Sequence, residues 1–400
     1  MSGNTEEQGF KNNNRKTLLI TVIILGILLR IILLIYGTDY EGDAEIYAHR
    51  GREVLKGLTP YKDYVETKPP LWIASVVAWF YITTVKSIVS LKIMLIIADI
   101  SFLIGGLYLL NKVKNRENYD RLIFLIMTAL NPMIIANSAY FGRYDIIPAA
   151  FSFLAFFLLR YQKEKLSALM LGIATMYKYL AAVFLLPLLV AIRTNVKRIE
   201  YLLIFSSVCV LILIPVYFIA SIDRFIEDTV YYFSERSTRG IGVWKLISRL
   251  GINTGPSNTP LIIQTICLVI ITVFMMAKRK LFNNDEAWIE LLIIVFYVTY
   301  LLSNKIVLMQ YFIFYLPFLA LVTSRNEINI SAKITVYALN FITFLLLLLK
   351  YEYMDNILLL TVGVITVYMA TIVPLILIYR LLIKTKFLKN VKEKPDITNQ

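Results

Sequence analysis

The chain alternates long apolar runs with short polar breaks from residue 17 to residue 383. Most runs approach twenty residues, enough to cross ~30 Å of hydrocarbon as a helix. A membrane β-barrel would show weak alternation in pieces of about ten residues, so the pattern predicts helices. The first run, 17–36, is too long for a signal-peptide core and lacks a small-residue cleavage site, which makes it a retained helix. No linker or repeat divides the chain. The expectation is one membrane domain over 1–400, with cytoplasmic tails at 1–16 and 384–400.

One stretch, "EGDAEIYAHRGREVLKGLTPYKDYVETKPPLW" at 41–72, breaks the pattern with acids, bases and a Lys-Pro-Pro step. Within it Ala44, Tyr47, Ala48, Gly51, Val54, Leu55 and Leu58 recur at spacings of three and four. That spacing predicts an amphipathic helix over 44–58, suited to lying flat on a membrane surface.

The basic clusters set the topology. Lys and Arg gather at 11–16, 112–121, 160–165, 193–198, 278–280, 325–333 and 380–394. Placing every cluster in the cytoplasm requires an even number of crossings between neighbouring clusters. Hairpins satisfy this for 122–140 with 147–160, 200–220 with 259–277, 287–303 with 306–324, and 332–350 with 357–382. Two intervals resist. Between 16 and 112 there are three runs, and the short one after Pro69-Pro70, at 71–85, is read as re-entrant or interfacial. Between 165 and 193 one run is interrupted by Tyr177-Lys178-Tyr179, which predicts two half-length helices meeting at Lys178. The total is about twelve transmembrane helices with both termini cytoplasmic. The first outer loop covers 38–90 and a long outer loop covers 221–258.

Composition changes the picture in two respects. At 58% hydrophobic, 17% charged and a mean hydropathy of +0.69, the chain cannot be a water-soluble globule. The net charge of +14 sits in topology clusters, so no nucleic-acid partner is expected. Cys209 and Cys267 both fall inside apolar runs and read as core residues rather than a disulfide pair.

With this topology, five separate pieces converge on the outer face: 38–70, Gly142 to Asp145, Tyr177 to Tyr179, 221–258 and Ser303 to Tyr311. Asp43 heads the amphipathic helix, where a carboxylate caps free N–H groups. Asp39, Glu41, Asp43 and Glu45 together also suit a general base or a divalent-cation site, and the plain alternative is a solvated acidic loop. Lys68 and Lys178 are compact cations able to hold a phosphate oxygen, with snorkelling the alternative for Lys68. Arg143 and Asp145 either pair with each other or join the site, Arg143 as a phosphate ligand and Asp145 as a catalytic carboxylate. Arg236 and Arg239 are further phosphate-ligand candidates, and Tyr47, Tyr61, Lys305, Gln310 and Tyr311 are candidates for substrate binding.

The segments "GDAEIY…LKGLTPYKDYVETKPPLW", "YFGRYDIIPAAFSFLAFFLL", "LGIATMYKYLAAVFLLPLLV" and "SNKIVLMQYFIFYLPFLAL", in this order, resemble the GT-C superfamily of membrane glycosyltransferases. The likeness, over about residues 17–325, is greatest to the polyprenol-phosphate-mannose-dependent mannosyltransferases, which include the GPI mannosyltransferases and bacterial and archaeal lipid-linked-sugar transferases. It implies an all-α GT-C-type bundle in the plasma membrane. The implied activity is hexose transfer, mannose foremost, from a polyprenyl-phosphate donor to a lipid-linked, glycan or protein acceptor, with inversion. It also implies an essential first-loop acid, matching Asp43, and a second acid after the third crossing, matching Asp145. The lysine before the Pro-Pro pair, linked to the donor phosphate in the aminoarabinose transferase branch, matches Lys68. The family's Asp-x-Asp is Asp-x-Glu here, which leaves open which of Asp43 and Glu45 acts and whether a metal binds. The rival class is a multi-pass lipid or sugar transporter or flippase, which would also carry intramembrane charges such as Arg30, Asp99 and Lys178. Its two halves would resemble each other, whereas 1–200 and 201–400 differ in loop length and charge. A non-catalytic membrane subunit is a third reading.

Overall fold

A computed structural model describes residues 3–38, 42–112, 119–231, 237–252, 259–279, 285–350 and 356–392. Almost everything in these ranges is helical. Among the described residues, seven helices are long and apolar enough to cross a membrane: 14–36, 88–112, 195–219, 259–278, 286–303, 330–348 and 357–383. An eighth forms if Arg121–Ala129 and Pro132–Tyr140, bent by 48°, make one broken span. The sequence expectation of twelve is not reached on length. The remaining apolar helices, Pro70–Thr83, Ile146–Arg160, Tyr179–Ala191 and Met309–Thr323, span only ~20 Å at 1.5 Å per residue.

The helices that matter for the site are α1 (Gly3–Tyr36), α2 (Gly42–Leu55), α3 (Pro70–Thr83) and α4 (Ile88–Lys112). After α5 (Arg121–Ala129) and α6 (Pro132–Ile135), the chain loosens into a π-turn at Ala136–Tyr140 before α7 (Ile146–Arg160). Next, α8 (Glu164–Tyr177) stops at Lys178, whose backbone is extended at φ −156° and ψ 119°, and a 3-10 turn, Tyr179–Phe184, leads into α9 (Leu185–Ala191). The half-length helices expected around Lys178 are therefore present. The amphipathic helix is present too, with Ala44, Tyr47, Ala48 and Gly51 on its buried side, although it ends at Leu55, three residues early. The two expected tails differ, because α1 begins at Gly3 and the last helix continues to Lys392.

Two ends of the bundle are distinguishable by charge. At one end Arg15 pairs with Asp120 at 2.9 Å. There too Glu290, fully buried, binds Arg160 at 2.9 Å and Arg325 at 3.1 Å, and accepts from the Tyr119 hydroxyl at 2.5 Å. The basic clusters around 121, 160 and 325 thus lie together, as the parity argument requires. Less than two turns before the end of α1, Arg30 and Asp99 form a buried pair at 2.7 Å, with Ser138 donating to the same carboxylate at 2.8 Å. Arg30 and Asp99 are tied into the packing, where each satisfies the other's charge. At the far end of α1, the Lys92 ammonium donates to the Gly37 carbonyl, and the polar segments gather.

Candidate functional site

The site begins with a close approach. Gly142 has φ +61°, and a Cβ there would lie 2.5 Å from the Ala44 Cβ and 3.1 Å from the Lys92 Cγ. Only glycine lets this turn lie against the first turn of α2. The turn is closed by Asn137 of the π-turn, whose carbonyl accepts the Arg143 N–H at 2.8 Å and whose side-chain amide donates to the Arg143 carbonyl at 3.1 Å. Arg143 is thereby aimed at α2, and its Nε donates to Asp43 Oδ2 at 2.6 Å. Asp43 lies inside the first helical turn, and this ion pair stands where a cap bond was expected.

Asp145, one residue from the start of α7, is taken by a different partner. The Lys178 ammonium donates to its carboxylate. Of the two readings open for Arg143 and Asp145, mutual pairing does not form; two crossed pairs stand instead, Asp43 with Arg143 and Asp145 with Lys178. The break after α8 makes the second pair reachable, because the extended residue swings Lys178 out of the helix.

These pairs stand at a cavity of about 680 Å³, within the ~300–1,000 Å³ usual for small-molecule sites. Its polar wall carries Asp43, Lys68, Lys178 and Lys305, with Tyr47, Tyr144, Gln310 and Tyr311 beside them. Asp43 is the one carboxylate on this wall among the described residues. Its side chain keeps 31% exposure, against 2% for Asp145, which sits behind the wall. Burial pushes the Asp43 carboxyl up, but Arg143, then Lys68 and Lys178, outweigh that and hold it below its ordinary value. Asp43 is therefore ionised at neutral pH. The Lys178 ammonium lies 5.3 Å from the Tyr144 and Tyr311 ring centres, and Lys68 lies 6.0 Å from the Tyr47 ring. Behind them Trp72 stacks on Tyr144 at 4.2 Å. The other wall is apolar, with Leu213, Pro260 and Leu261 from the two helices Asn195–Ile219 and Thr259–Lys278.

The remaining candidates divide. Glu45 turns away to Arg52 at 2.6 Å and does not reach the cavity. Arg143 stands behind Asp43 rather than on the wall, so it holds a carboxylate instead of an expected phosphate. Arg239 is exposed in a two-residue strand, Arg239–Gly240, parallel to Ile306–Val307, and also misses the cavity. Tyr61 is buried, and its hydroxyl donates to the Lys68 carbonyl, so it acts on the backbone and not on the cavity. Arg236, Asp39 and Glu41 lie outside the described residues. Among the described residues no three His, Cys, Asp or Glu side chains come together for a metal ion.

Sequence reasoning did not single out Thr229, Gln264 and Tyr300 on the wall, since neutral side chains in or beside apolar runs carry no pattern of their own. It also missed Glu66, buried two residues before Lys68. A lone acid in the "VETKPP" segment was the available signal.

Known proteins agree with this architecture. Glycosyltransferase family 87 matches residues 65–304. GPI mannosyltransferase 1 of Dictyostelium discoideum is 20% identical over 364 residues, 80% of each chain. The crystal structure of ArnT from Cupriavidus metallidurans in the apo state superposes with a TM-score of 0.50 at 14% identity, covering 90% of this chain and 77% of that one. Its undecaprenyl-phosphate-bound form gives a TM-score of 0.49 at 13% identity, covering 92% and 79%.

Proposed function

The chain belongs to glycosyltransferase family 87, and we propose that it moves a hexose, with mannose the favoured sugar, from a polyprenyl-phosphate donor to an acceptor hydroxyl. Transfer inverts the anomeric carbon and takes place at the outer face of the plasma membrane, both termini being cytoplasmic. The observation that carries this reading is the cavity's lining: among the described residues it holds three lysines and a single carboxylate, together with apolar side chains such as Leu213, Pro260 and Leu261. A phosphate matches the excess of positive charge, and an isoprenoid chain matches the apolar side. The choice of mannose draws on the Dictyostelium mannosyltransferase relative.

The chemistry follows from the two crossed pairs. The acceptor oxygen forms its bond to the anomeric carbon as the bond from that carbon to the phosphate oxygen breaks. The acceptor's proton passes to Asp43, held in place by Arg143. The bonding electrons leave on the lipid phosphate, where Lys68 and Lys178 stabilise the growing charge more in the transition state than in the ground state. Asp145 holds the Lys178 ammonium in place. Tyr47, Lys305, Gln310 and Tyr311 line the space left for sugar and acceptor. A carboxylate with a low pKa is a weak base, so it takes the proton late, as the new bond nears completion.

The test is transfer of radiolabelled mannose from polyprenyl-phosphate mannose by the purified protein in vesicles, with an extract of acceptors. Asp43→Asn is expected to lower the rate by about 10²–10⁴ while the protein stays folded. Activity within about threefold of the parent would remove Asp43 as the base.

A further inference from the structure

Glu66 is enclosed, at 3% exposure, and the transfer chemistry above makes no use of it. Its Oε1 accepts the backbone N–H of Lys68 at 2.8 Å. Its own backbone N–H donates to Asp228 Oδ2 at 2.9 Å, and Asp228 immediately precedes Thr229 on the cavity wall. Two more bonds join the same segments: Ser221 N–H to the Tyr61 carbonyl at 3.4 Å and Arg224 Nη1 to the Lys62 carbonyl at 2.8 Å. The Tyr61 hydroxyl donates to the Lys68 carbonyl. Both peptide groups of Lys68 are therefore gripped by side chains. Its ammonium, by contrast, makes no ion pair or hydrogen bond among the described residues. The root of this lysine is fixed while its tip stays available to a ligand.

This arrangement is costly for the fold alone. Among the described residues Glu66 Oε2 has no hydrogen-bond partner, and the nearest cation, Arg50, stands 4.0 Å away. Burying a carboxylate with incomplete pairing is unfavourable, and burial pushes the Glu66 carboxyl above its ordinary value. The contact it makes best is the one to Lys68.

We propose that Glu66 is a positioning residue for the donor phosphate, acting through Lys68: its carboxylate sets the Lys68 backbone, and its N–H ties that backbone to the 221–231 segment across Asp228. The proposal rests on the reading of Lys68 as a phosphate ligand. Lys68 holds the phosphate in the bound donor as well as in the transition state, and displacing such a contact by about 1 Å costs as much as 10²-fold in rate, so part of the loss reads in the donor KM.

Three variants decide it, assayed with polyprenyl-phosphate mannose as the varied donor. Glu66→Gln keeps an acceptor oxygen of the same reach, and its donor KM is expected within about twofold of the parent. Glu66→Asp keeps the charge but withdraws the oxygen by one methylene, and its donor KM is expected to rise about tenfold or more with acceptor KM unchanged. A merely structural role would lower kcat with the amount of folded protein and leave both KM values alone. In a Lys68→Ala background the Glu66→Asp effect is expected to vanish. The proposal is overturned if Glu66→Asp leaves the donor KM within twofold, if Glu66→Gln is impaired equally, or if the Glu66→Asp effect persists without Lys68. Lys68→Ala alone examines the underlying reading: an unchanged donor KM there would sink the phosphate role of Lys68 before Glu66 is considered.

Discussion

Replacing Arg143 by glutamine removes the guanidinium that donates to Asp43 Oδ2 at 2.6 Å and leaves the cavity wall otherwise intact. With charge centres ~4 Å apart and an effective dielectric constant of ~20, that pair interacts by ~4 kcal/mol. The Asp43 side chain keeps 31% exposure, so solvent screens part of this, and losing what remains moves the Asp43 carboxyl upward. In the parent protein the Asp43 carboxyl lies below its ordinary 3.8. Its ionised form, and the stability of the pair, are then fully present above pH 3.8 and are lost only as pH falls through the lower folded value. In Arg143→Gln the upward push of burial is less opposed. The acid limb of kcat/KM is expected to move to higher pH, so that activity at pH 4 falls further below its value at pH 8 than in the parent. The assay is donor-to-acceptor transfer in vesicles from pH 4 to 8, with folded protein quantified at each pH. A uniformly lowered rate with the acid limb unmoved would refute the electrostatic coupling of Arg143 to Asp43.

Lys178→Met strands the nearly enclosed Asp145 without its cation and is expected to cost ~3–5 kcal/mol, read as a fall in thermal midpoint. Lys178→Met with Asp145→Asn is expected to regain most of that stability and none of the transfer activity, and regained activity would remove Lys178 from the site. Gly142→Ala forces a left-handed turn on an L residue and places a Cβ 2.5 Å from Ala44, so a loss of ~1–3 kcal/mol is expected, with transfer impaired beyond the loss of folded protein; an unchanged melting curve would contradict the close approach. In a background lacking Cys209 and Cys267, a cysteine at exposed position 63 is expected to react with an impermeant thiol reagent from outside cells, and one at exposed position 163 to react only after lysis. Equal labelling of both would undo the assigned orientation.

The amino-acid pattern alone determined the solvent and the local architecture. Runs of apolar residues near the bilayer's thickness make helices whatever their neighbours do, because every backbone group in lipid must be satisfied within its own segment. The three-and-four spacing made α2 legible, and the charge-parity argument made the break at Lys178 legible, since both depend on residues close in the chain. Asp43, Lys68 and Lys178 were nameable for the same reason: a charge beside an apolar run needs an explanation. Only the tertiary structure decided the partners. Asp43 meets Arg143 across 100 positions and Lys178 meets Asp145 across 33, whereas the short-range choice, Arg143 with Asp145, does not form. Glu45 looked as able as Asp43, yet it sits on α2 turned toward Arg52. The role of Glu66 was invisible because its partner is a backbone N–H, which every residue but proline carries. Ion pairing and burial depend on where distant helices bring side chains to within a few ångströms, and that distance is not encoded in local spacing.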